Sequence, residues 1–184
     1  PILKEPRLID EWVLWLEQRP HEGGRTTALI RPWGRSDLIP QELTPSPHNL
    51  RSRVHDYGGG VIATSIKGDQ LVIAWVDDSE SCLWMQSWQG LHNVGKDKEP
   101  LLKPVHIPIR LTSREKILLA DGLIDLPRQR WLGVMEADER DFLVTFSLES
   151  ENQSPKILHC PADFVGYVTL SPNGNEIAWV EWQQ

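Results

Sequence analysis

Two apolar runs rich in β-branched residues flank Gly68 and Asp69 in the sequence GVIATSIKGDQLVIAWV, residues 60–76. Glycine supplies the positive φ that a tight two-residue turn needs, so the segment predicts a β-hairpin. A third run, SCLWMQSW at residues 81–88, extends the hairpin to a three-stranded meander. A second hairpin is predicted where LSPNG, residues 170–174, precedes EIAWVE, residues 176–181, because proline and Asn-Gly favour a turn.

A weak internal repeat connects four apolar runs that each end in an acidic residue. The runs are VLWLE ending at Glu17, VIAWVD ending at Asp77, LGVME ending at Glu136 and IAWVE ending at Glu181. Their spacing of about 45 to 60 residues suits a four-stranded propeller blade of roughly 40 to 50 residues with loop insertions. Each run is apolar almost throughout, as expected of a strand with neighbouring sheets on both faces. The alternative is an ordinary all-β protein in which several tryptophan-containing strands arise by chance.

Two proline-containing stretches, residues 31–48 and 90–108, are predicted to be surface connections within one domain, because apolar strands resume after each. Residues 113–121, SREKILLAD, leave two alternatives open. Ser113 is a suitable cap for a helix, and the stretch from Lys116 to Ala120 also suits a strand. Periodicity does not decide between them.

The composition narrows the class of protein. Nine tryptophans in 184 residues favour an all-β fold, in which large aromatics fill the space between sheets. A net charge of −7 without a Lys/Arg-rich stripe argues against nucleic acid and against anionic membrane surfaces as partners. Cys82 and Cys160 have neither zinc-ligand nor disulfide spacing, so we expect reduced thiols in a cytoplasmic protein. No signal peptide and no membrane-spanning run is visible, but the chain starts at Pro1 without methionine, which leaves the true N-terminus open.

The sequence contains no recognisable catalytic or cofactor motif. No G-x-S-x-G nucleophile elbow is present, and the six histidines lack the HxH and HExxH spacings of metal sites. The run Gly58-Gly59-Gly60 is not a phosphate-binding loop, because a strand rather than a helix is predicted after it. We therefore predict no catalytic residue, no metal and no cofactor.

The richest polar constellation precedes this triglycine. It supplies five candidate binding residues, which are Arg51, Arg53, His55, Asp56 and Tyr57. They suit a corner that binds an anion or a peptide terminus. The alternative, which we favour, is a rigid polar network that anchors a long loop to the sheet and satisfies buried backbone groups.

The run RSRVHDYGGG, residues 51–60, resembles the R-S/T-R-V-H-E-Y-G-G-G segment in the propeller of bacterial acylaminoacyl-peptidase-like and dipeptidyl-aminopeptidase-like members of the prolyl oligopeptidase family. Three further segments resemble that family in the same order: WLEQRPHEGGR at residues 15–25, LADGLIDLPRQR at 119–130 and LSPNGNEIAWVEW at 170–182. Three positions depart from the family pattern. Asp56 stands where the family has glutamate, Leu119 stands where it has tyrosine, and Leu126 is inserted.

The resemblance implies an all-β fold, a partial β-propeller of about three to four blades of antiparallel four-stranded sheets. It implies that residues 1–184 form one incomplete propeller domain, covering about the first half of the family's propeller. The catalytic α/β-hydrolase domain would then lie downstream and be a partner of this chain. In the family the propeller restricts access to small peptides while a Ser-His-Asp triad performs acyl transfer. Those catalytic residues have no counterpart here.

We therefore expect the substrate-gating propeller portion of a serine peptidase that hydrolyses short peptides, of the acylaminoacyl-peptidase or dipeptidyl-peptidase type, with the fragment itself inert. The alternatives are a stand-alone propeller-like binding module for a protein or carbohydrate, and an enzyme in its own right. An interrupted ring would leave two terminal blade faces uncovered, so we also expect a homodimer that covers them.

Overall fold

The structure, a computed structural model, describes residues 1–94, 101–113 and 116–183. In these residues the chain folds into antiparallel sheets joined by loops and short 3₁₀ helices, so the all-β prediction is confirmed. The 3₁₀ helices are Pro20–Glu22, Val54–Asp56, Ser79–Ser81, Leu91–Asn93 and Leu126–Arg128. Within the described ranges, no helix is long and apolar enough to cross a membrane.

Each sheet is built from strands that follow one another in the sequence. Blade 1 has the order β1 (Ile2–Ile9), β2 (Trp12–Arg19), β3 (Arg25–Pro32) and β4 (Gln41–Glu42). Blade 2 has the order β5 (Ile62–Lys67), β6 (Gln70–Asp77), β7 (Cys82–Gln89) and β8 (Lys103–Pro104), with β9 (Ile109–Arg110) also pairing with β7. Blade 3 has the order β10 (Leu118–Asp125), β11 (Arg130–Ala137), β12 (Arg140–Ser147) and β13 (Lys156–His159). The fourth sheet pairs β14 (Phe164–Leu170) with β15 (Ile177–Trp182).

Both predicted hairpins form. Lys67 pairs with Gln70 across the Gly68-Asp69 turn, and Leu170 pairs with Ile177 across the second turn. The third predicted run is β7, which completes the meander. The four runs of the repeat all lie in the second strand of a sheet, β2, β6, β11 and β15. The repeat therefore marks one position in each blade, and the chain has the blade architecture of a β-propeller.

The two stretches predicted as connections also contain short outer strands. β4 lies in residues 31–48, and β8 lies in residues 90–108, of which 95–100 fall outside the described residues. In blade 2 the outer position is divided, because β8 pairs with the end of β7 at Gln89 while β9 pairs near its start at Trp84. Two-residue strands in proline-rich sequence are too short to show the alternation of apolar and polar residues from which a strand is predicted.

The ambiguous stretch at residues 113–121 enters a strand. Residues 114 and 115 lie outside the described residues, but β10 begins at Leu118, so the strand alternative is correct for the described part. The register of β10 shifts between Ala120 and Leu123, and Asp121 takes a left-handed φ of 53° within this bulge. Similar bulges interrupt β1 at Glu5 and β14 at Tyr167.

The first strand of blade 3, β10, packs between β5 and β14, the first strands of the two neighbouring sheets. One hydrophobic cluster runs through blades 1, 2 and 3. Trp12, Trp75 and Trp131, each from the second strand of its blade, are among its largest fully buried side chains. The tryptophans therefore fill the space between sheets, as the composition suggested.

Candidate functional site between the blades

Residues 51–60, here called the inter-blade segment, connect blade 1 to β5. The segment starts where the Arg51 N–H donates to the Val76 carbonyl at 3.2 Å. The buried Ser52 hydroxyl then donates to the Leu119 carbonyl of β10 at 2.7 Å. The second residue of the segment is thus already bonded to blade 3.

Arg53 turns back to blade 2. Its Nε lies 2.7 Å from Asp78 Oδ1 and its Nη2 lies 3.2 Å from Asp78 Oδ2, which is a bidentate ion pair. Half of the Arg53 side chain is exposed, so the pair fixes geometry more than it contributes stability. Arg53 is therefore engaged with a partner within the chain.

His55 reaches farthest into the neighbouring sheet. Its φ of 50° directs the backbone N–H to Glu136 Oε2 at 2.5 Å. Its Nε2 lies 3.0 Å from Asp141 Oδ1, and its ring packs edge-on against Phe164 with 5.3 Å between centroids. One histidine from the loop before blade 2 thus contacts blade 3 and the fourth sheet.

The partner of the His55 ring, Asp141, is a buried carboxylate. The Asp141 side chain is fully buried, and its Oδ2 accepts a hydrogen bond from the Val165 N–H at 3.1 Å. A buried carboxylate is costly unless a hydrogen bond or a cationic partner compensates it. Sequence reasoning missed Glu136 and Asp141, and only the repeated acidic strand end pointed towards Glu136.

The triglycine brings the backbones of blades 2 and 3 into contact. A Cβ on Gly58, where φ is 80°, would lie 2.8 Å from the Ser52 carbonyl oxygen. A Cβ on Gly59 would lie 2.8 Å from the Ala120 Cβ. The Gly60 N–H donates to Asp121 Oδ1 at 2.6 Å, and the Asp121 N–H donates to the Gly60 carbonyl at 2.8 Å. Glycine is required here because two backbones approach closely.

The remaining candidate residues face solvent. Asp56 is exposed, and its N–H donates to the Arg53 carbonyl at 3.1 Å. Tyr57 is 96% exposed. The Arg51 side chain is exposed and has no hydrogen bond or ion pair within the described part of the chain. The structure thus separates the five candidates into an engaged pair, Arg53 and His55, and an open set.

Two of the open residues line a cavity of about 310 Å³ between blades 1 and 2, here called cavity 1. Arg51 and Tyr57 contribute from the inter-blade segment, while Lys4 and Glu5 contribute from β1. A second cavity, of about 280 Å³, lies on the other side of the segment, between His55, Asp121, Tyr167 and Trp182. The segment therefore separates two concave surfaces.

Two of the acidic residues that end the second strands, Asp77 and Glu181, each contact a histidine. His48 Nδ1 lies 2.9 Å from Asp77 Oδ2. Burial would raise the pKa of Asp77, but hydrogen bonds from His48 and Ser79 outweigh burial and hold that pKa below its usual value. In the fourth sheet the Trp179 indole N–H and His159 lower the pKa of Glu181, against a smaller effect of desolvation.

These contacts favour the polar-network interpretation for Ser52, Arg53 and His55. The assignment of Arg51, Arg53, His55, Asp56 and Tyr57 as binding residues stays a prediction. Across the described ranges, no group of three or more His, Cys, Asp and Glu side chains is placed to hold a metal ion.

Comparisons with known proteins support the fold. No protein-family model matches the chain, and no curated protein matches it in sequence. Among solved structures, the chain is similar to a puromycin hydrolase S511A mutant complexed with PGG, with a TM-score of 0.75 and 22% identity. It is also similar to a puromycin-hydrolyzing peptidase of Mycobacterium tuberculosis, with a TM-score of 0.75 and 23% identity.

The extent of the match is asymmetric. The similarity covers 98% of this chain, but only 28% of the puromycin hydrolase mutant and 27% of the mycobacterial peptidase. This chain therefore has the fold of about a quarter of each of these proteins. At this level of identity the likeness establishes the fold alone. The chemistry of this chain has to be inferred from its own residues.

Proposed function

We propose that this chain is the propeller portion of a serine peptidase of the prolyl oligopeptidase family, in which it restricts access to short peptides. One observation carries the proposal: the family-like run RSRVHDYGGG forms the contact between blades in a chain whose fold matches part of peptidases that hydrolyse puromycin. Residues 1–184 then form one incomplete propeller domain.

Catalysis is assigned to a separate α/β-hydrolase domain of the same protein. The sequence of this chain has no nucleophile elbow, and an acyl-transfer mechanism needs a nucleophile, a base and an oxyanion hole in one place. The reaction is hydrolysis of short peptides of the acylaminoacyl or dipeptidyl type. A propeller placed over such a site admits ligands through its axis or past its edge, so chain length becomes the basis of selection.

A fluorophosphonate probe tests the assignment of catalysis. We expect the probe to label the full-length gene product, and we expect that product to hydrolyse an acyl-peptide chromogenic substrate. The 184-residue chain should show neither property. If the 184-residue chain were labelled by the probe and hydrolysed the substrate, the proposal would be overturned in favour of an enzyme in its own right.

The gating role is tested separately with the full-length protein. Peptides of increasing length that share one scissile sequence should be hydrolysed progressively more slowly, and unfolded casein should resist hydrolysis. Equal rates for a tetrapeptide and for casein would contradict gating while leaving the peptidase assignment intact.

A stand-alone binding module is the second candidate function. Cavity 1 favours it, because residues of this chain alone line a volume of about 310 Å³, within the range of small-molecule sites. The reading frame discriminates between the two. A G-x-S-x-G motif a few hundred residues downstream supports the peptidase, and a stop codon soon after Gln184 supports the module.

We also propose that the isolated chain forms a homodimer through its terminal sheets. β1 exposes Ile2, Leu3 and Leu8, while the fourth sheet exposes Tyr167 and Trp182. Exposed apolar strands at a sheet edge favour association. Light scattering should show a dimer at high micromolar concentration, weakened by Trp182→Glu but not by Trp33→Glu, a control at a loop tryptophan that is more exposed than Trp182. A monodisperse wild-type monomer would contradict this.

Finally, we propose a cytoplasmic location. Cys82 is buried and Cys160 is exposed, and neither forms a disulfide. Burial raises the pKa of the Cys82 thiol, which keeps it protonated and unreactive. Fractionation of the source cells tests this directly, and recovery of the protein outside the cytoplasm would contradict it.

A further inference from the structure

We infer that cavity 1 binds the terminal carboxylate of a short peptide, held by Arg51 and Lys4. The choice of a peptide as the ligand rests on the proposed function, but the recognition of a carboxylate rests on the cavity alone. Three features carry the inference: the balance of charge, the mainly polar lining and the size of the cavity.

The charges that line cavity 1 leave an excess of positive charge. Arg51 and Lys4 both line it and are exposed, and neither has an ion-pair partner in the described ranges. Glu5 is the only carboxylate among the lining residues, and Arg7 already neutralises it at 3.0 Å. Such a concentration of uncompensated cations, in a chain with a net charge of −7, favours an anionic ligand.

The contrast between the two arginines of the inter-blade segment sharpens the assignment. Arg53 already forms a bidentate pair with Asp78, whereas Arg51, two residues earlier, lines the cavity and has no side-chain partner in the described ranges. A guanidinium presents paired N–H donors whose geometry fits a carboxylate. Arg53 shows the interaction completed within the chain, and Arg51 offers the same donors to a ligand.

The lining of cavity 1 is mainly polar and includes Gln18, Thr26 and Ser52. Leu16, Leu50 and Val61 also line the cavity and belong to the buried core, while Tyr57 stands at the mouth. Two cations beside a mainly polar lining suit a carboxylate, and the few apolar lining residues leave room for limited contact with a neighbouring side chain. The volume of about 310 Å³ lies at the small end of the range for ligand sites, so it suits one or two residues and not a long segment.

Isothermal titration calorimetry with matched probes tests the inference on the 184-residue chain. N-acetylleucine carries the carboxylate and the apolar side chain, and N-acetylleucinamide differs only by the missing charge. We expect saturable binding of the acid. The amide should bind at least about tenfold more weakly, because a charge-assisted hydrogen bond is lost. Raising the salt concentration should weaken binding of the acid.

Variants locate the site. Arg51→Gln should weaken binding of the acid about tenfold, and Lys4→Gln should weaken it by a smaller factor. Arg35→Gln, a change at an exposed arginine that does not line the cavity, should leave binding unchanged. The Arg51 side chain makes no contact that folding needs, so an unchanged thermal transition confirms that its variant is folded.

Three results would overturn the inference: no binding of the acid, equal binding of acid and amide, or unchanged binding to the Arg51→Gln variant. None of them depends on catalysis. The carboxylate site can therefore fail while the peptidase assignment stands, and a failed peptidase assay leaves this measurement valid.

Discussion

Two strands of the protein share one tetrapeptide and differ completely in environment. Residues 73–76 of β6 and residues 177–180 of β15 both read IAWV, and each is followed by an acidic residue. Trp75 is 0% exposed and Val76 is 2% exposed, whereas Trp179 is 37% exposed and Val180 is 50% exposed. The same sequence is thus a core strand in blade 2 and a surface strand in the fourth sheet.

The difference lies in the neighbours of each strand. β6 lies between β5 and β7, and its side chains join a hydrophobic cluster that extends into blades 1 and 3. β15 pairs only with β14 in the described structure, and the fourth sheet packs against blade 3. The prediction that each repeated run has sheets on both faces is therefore confirmed for β6, while for β15 it stays a prediction. The burial of this tetrapeptide is therefore determined by the sheets that pack around it and not by its own sequence.

The largest expected effect is on the buried tryptophan. Trp75→Ala should lower the free energy of unfolding by about 3–5 kcal/mol, because it removes a fully buried aromatic side chain and leaves a cavity. The measurement is chemical denaturation followed by circular dichroism. Trp179→Ala is the matched control and should cost less than about 1 kcal/mol, since the site is partly solvated. Equal losses would show that the two strands have equivalent environments in solution.

A smaller effect is expected where neighbouring blades touch. Gly59→Ala should cost about 1–3 kcal/mol, because its Cβ would lie 2.8 Å from the buried Ala120 Cβ and the blades must separate. Hydrogen exchange should accelerate in β10. The control Gly68→Ala meets no neighbour but has a φ of 59°, so its cost of about 1 kcal/mol should stay confined to the β5–β6 hairpin. A faster exchange in β10 for the control would contradict this reasoning.

The smallest effect concerns the acids that end the two strands. The pKa of Asp77 is lowered in the folded state, so its ionised form contributes stability above its unfolded pKa, and this contribution is lost as the pH falls below about 4. Asp77→Asn should cost about 1 kcal/mol at pH 7 and flatten the acid limb of the stability profile.

The control for this change is Glu181→Gln. The pKa of Glu181 is also lowered, but the residue is exposed, so solvent screens its interactions and the acid limb should change little. Thermal unfolding between pH 3 and 7 measures both variants. A larger change for Glu181→Gln than for Asp77→Asn would reverse the comparison.

The sequence was sufficient for the parts of the fold that local chemistry determines. Gly68-Asp69 identified a hairpin, and the acidic strand ends identified the second strand of every sheet. The short strands β4 and β8 could not be found, because two residues carry no periodicity. The left-handed φ of Asp121 was equally hidden, since its carboxylate is matched to the Gly60 N–H of a segment 61 residues away.

For the candidate site, too, one part was predictable from the sequence and another part was not. The segment of residues 51–60 was found from its composition, but the roles within it depend on distant partners. Asp78 engages Arg53, and Glu136 and Asp141 engage His55, while Arg51 is left at a cavity that β1 completes. Sequence spacing does not encode these partners, because Asp78 lies in the turn after β6, Glu136 on β11 and Asp141 on β12, all distant from the segment in sequence.

The inter-blade segment also sets an order of events during synthesis. His55 meets Glu136 across 81 positions of chain, and a contact at this separation must close a long loop before it can form. At a translation rate of roughly 5–20 residues per second, those residues take about 4 to 16 seconds to make. At the start of that interval the inter-blade segment carries His55, Gly59 and Gly60, whose partners in blade 3 have not yet been synthesised. The seam between blades 2 and 3 thus closes late, and it is the stage at which a newly made chain is most open to capture by chaperones or by another copy of itself.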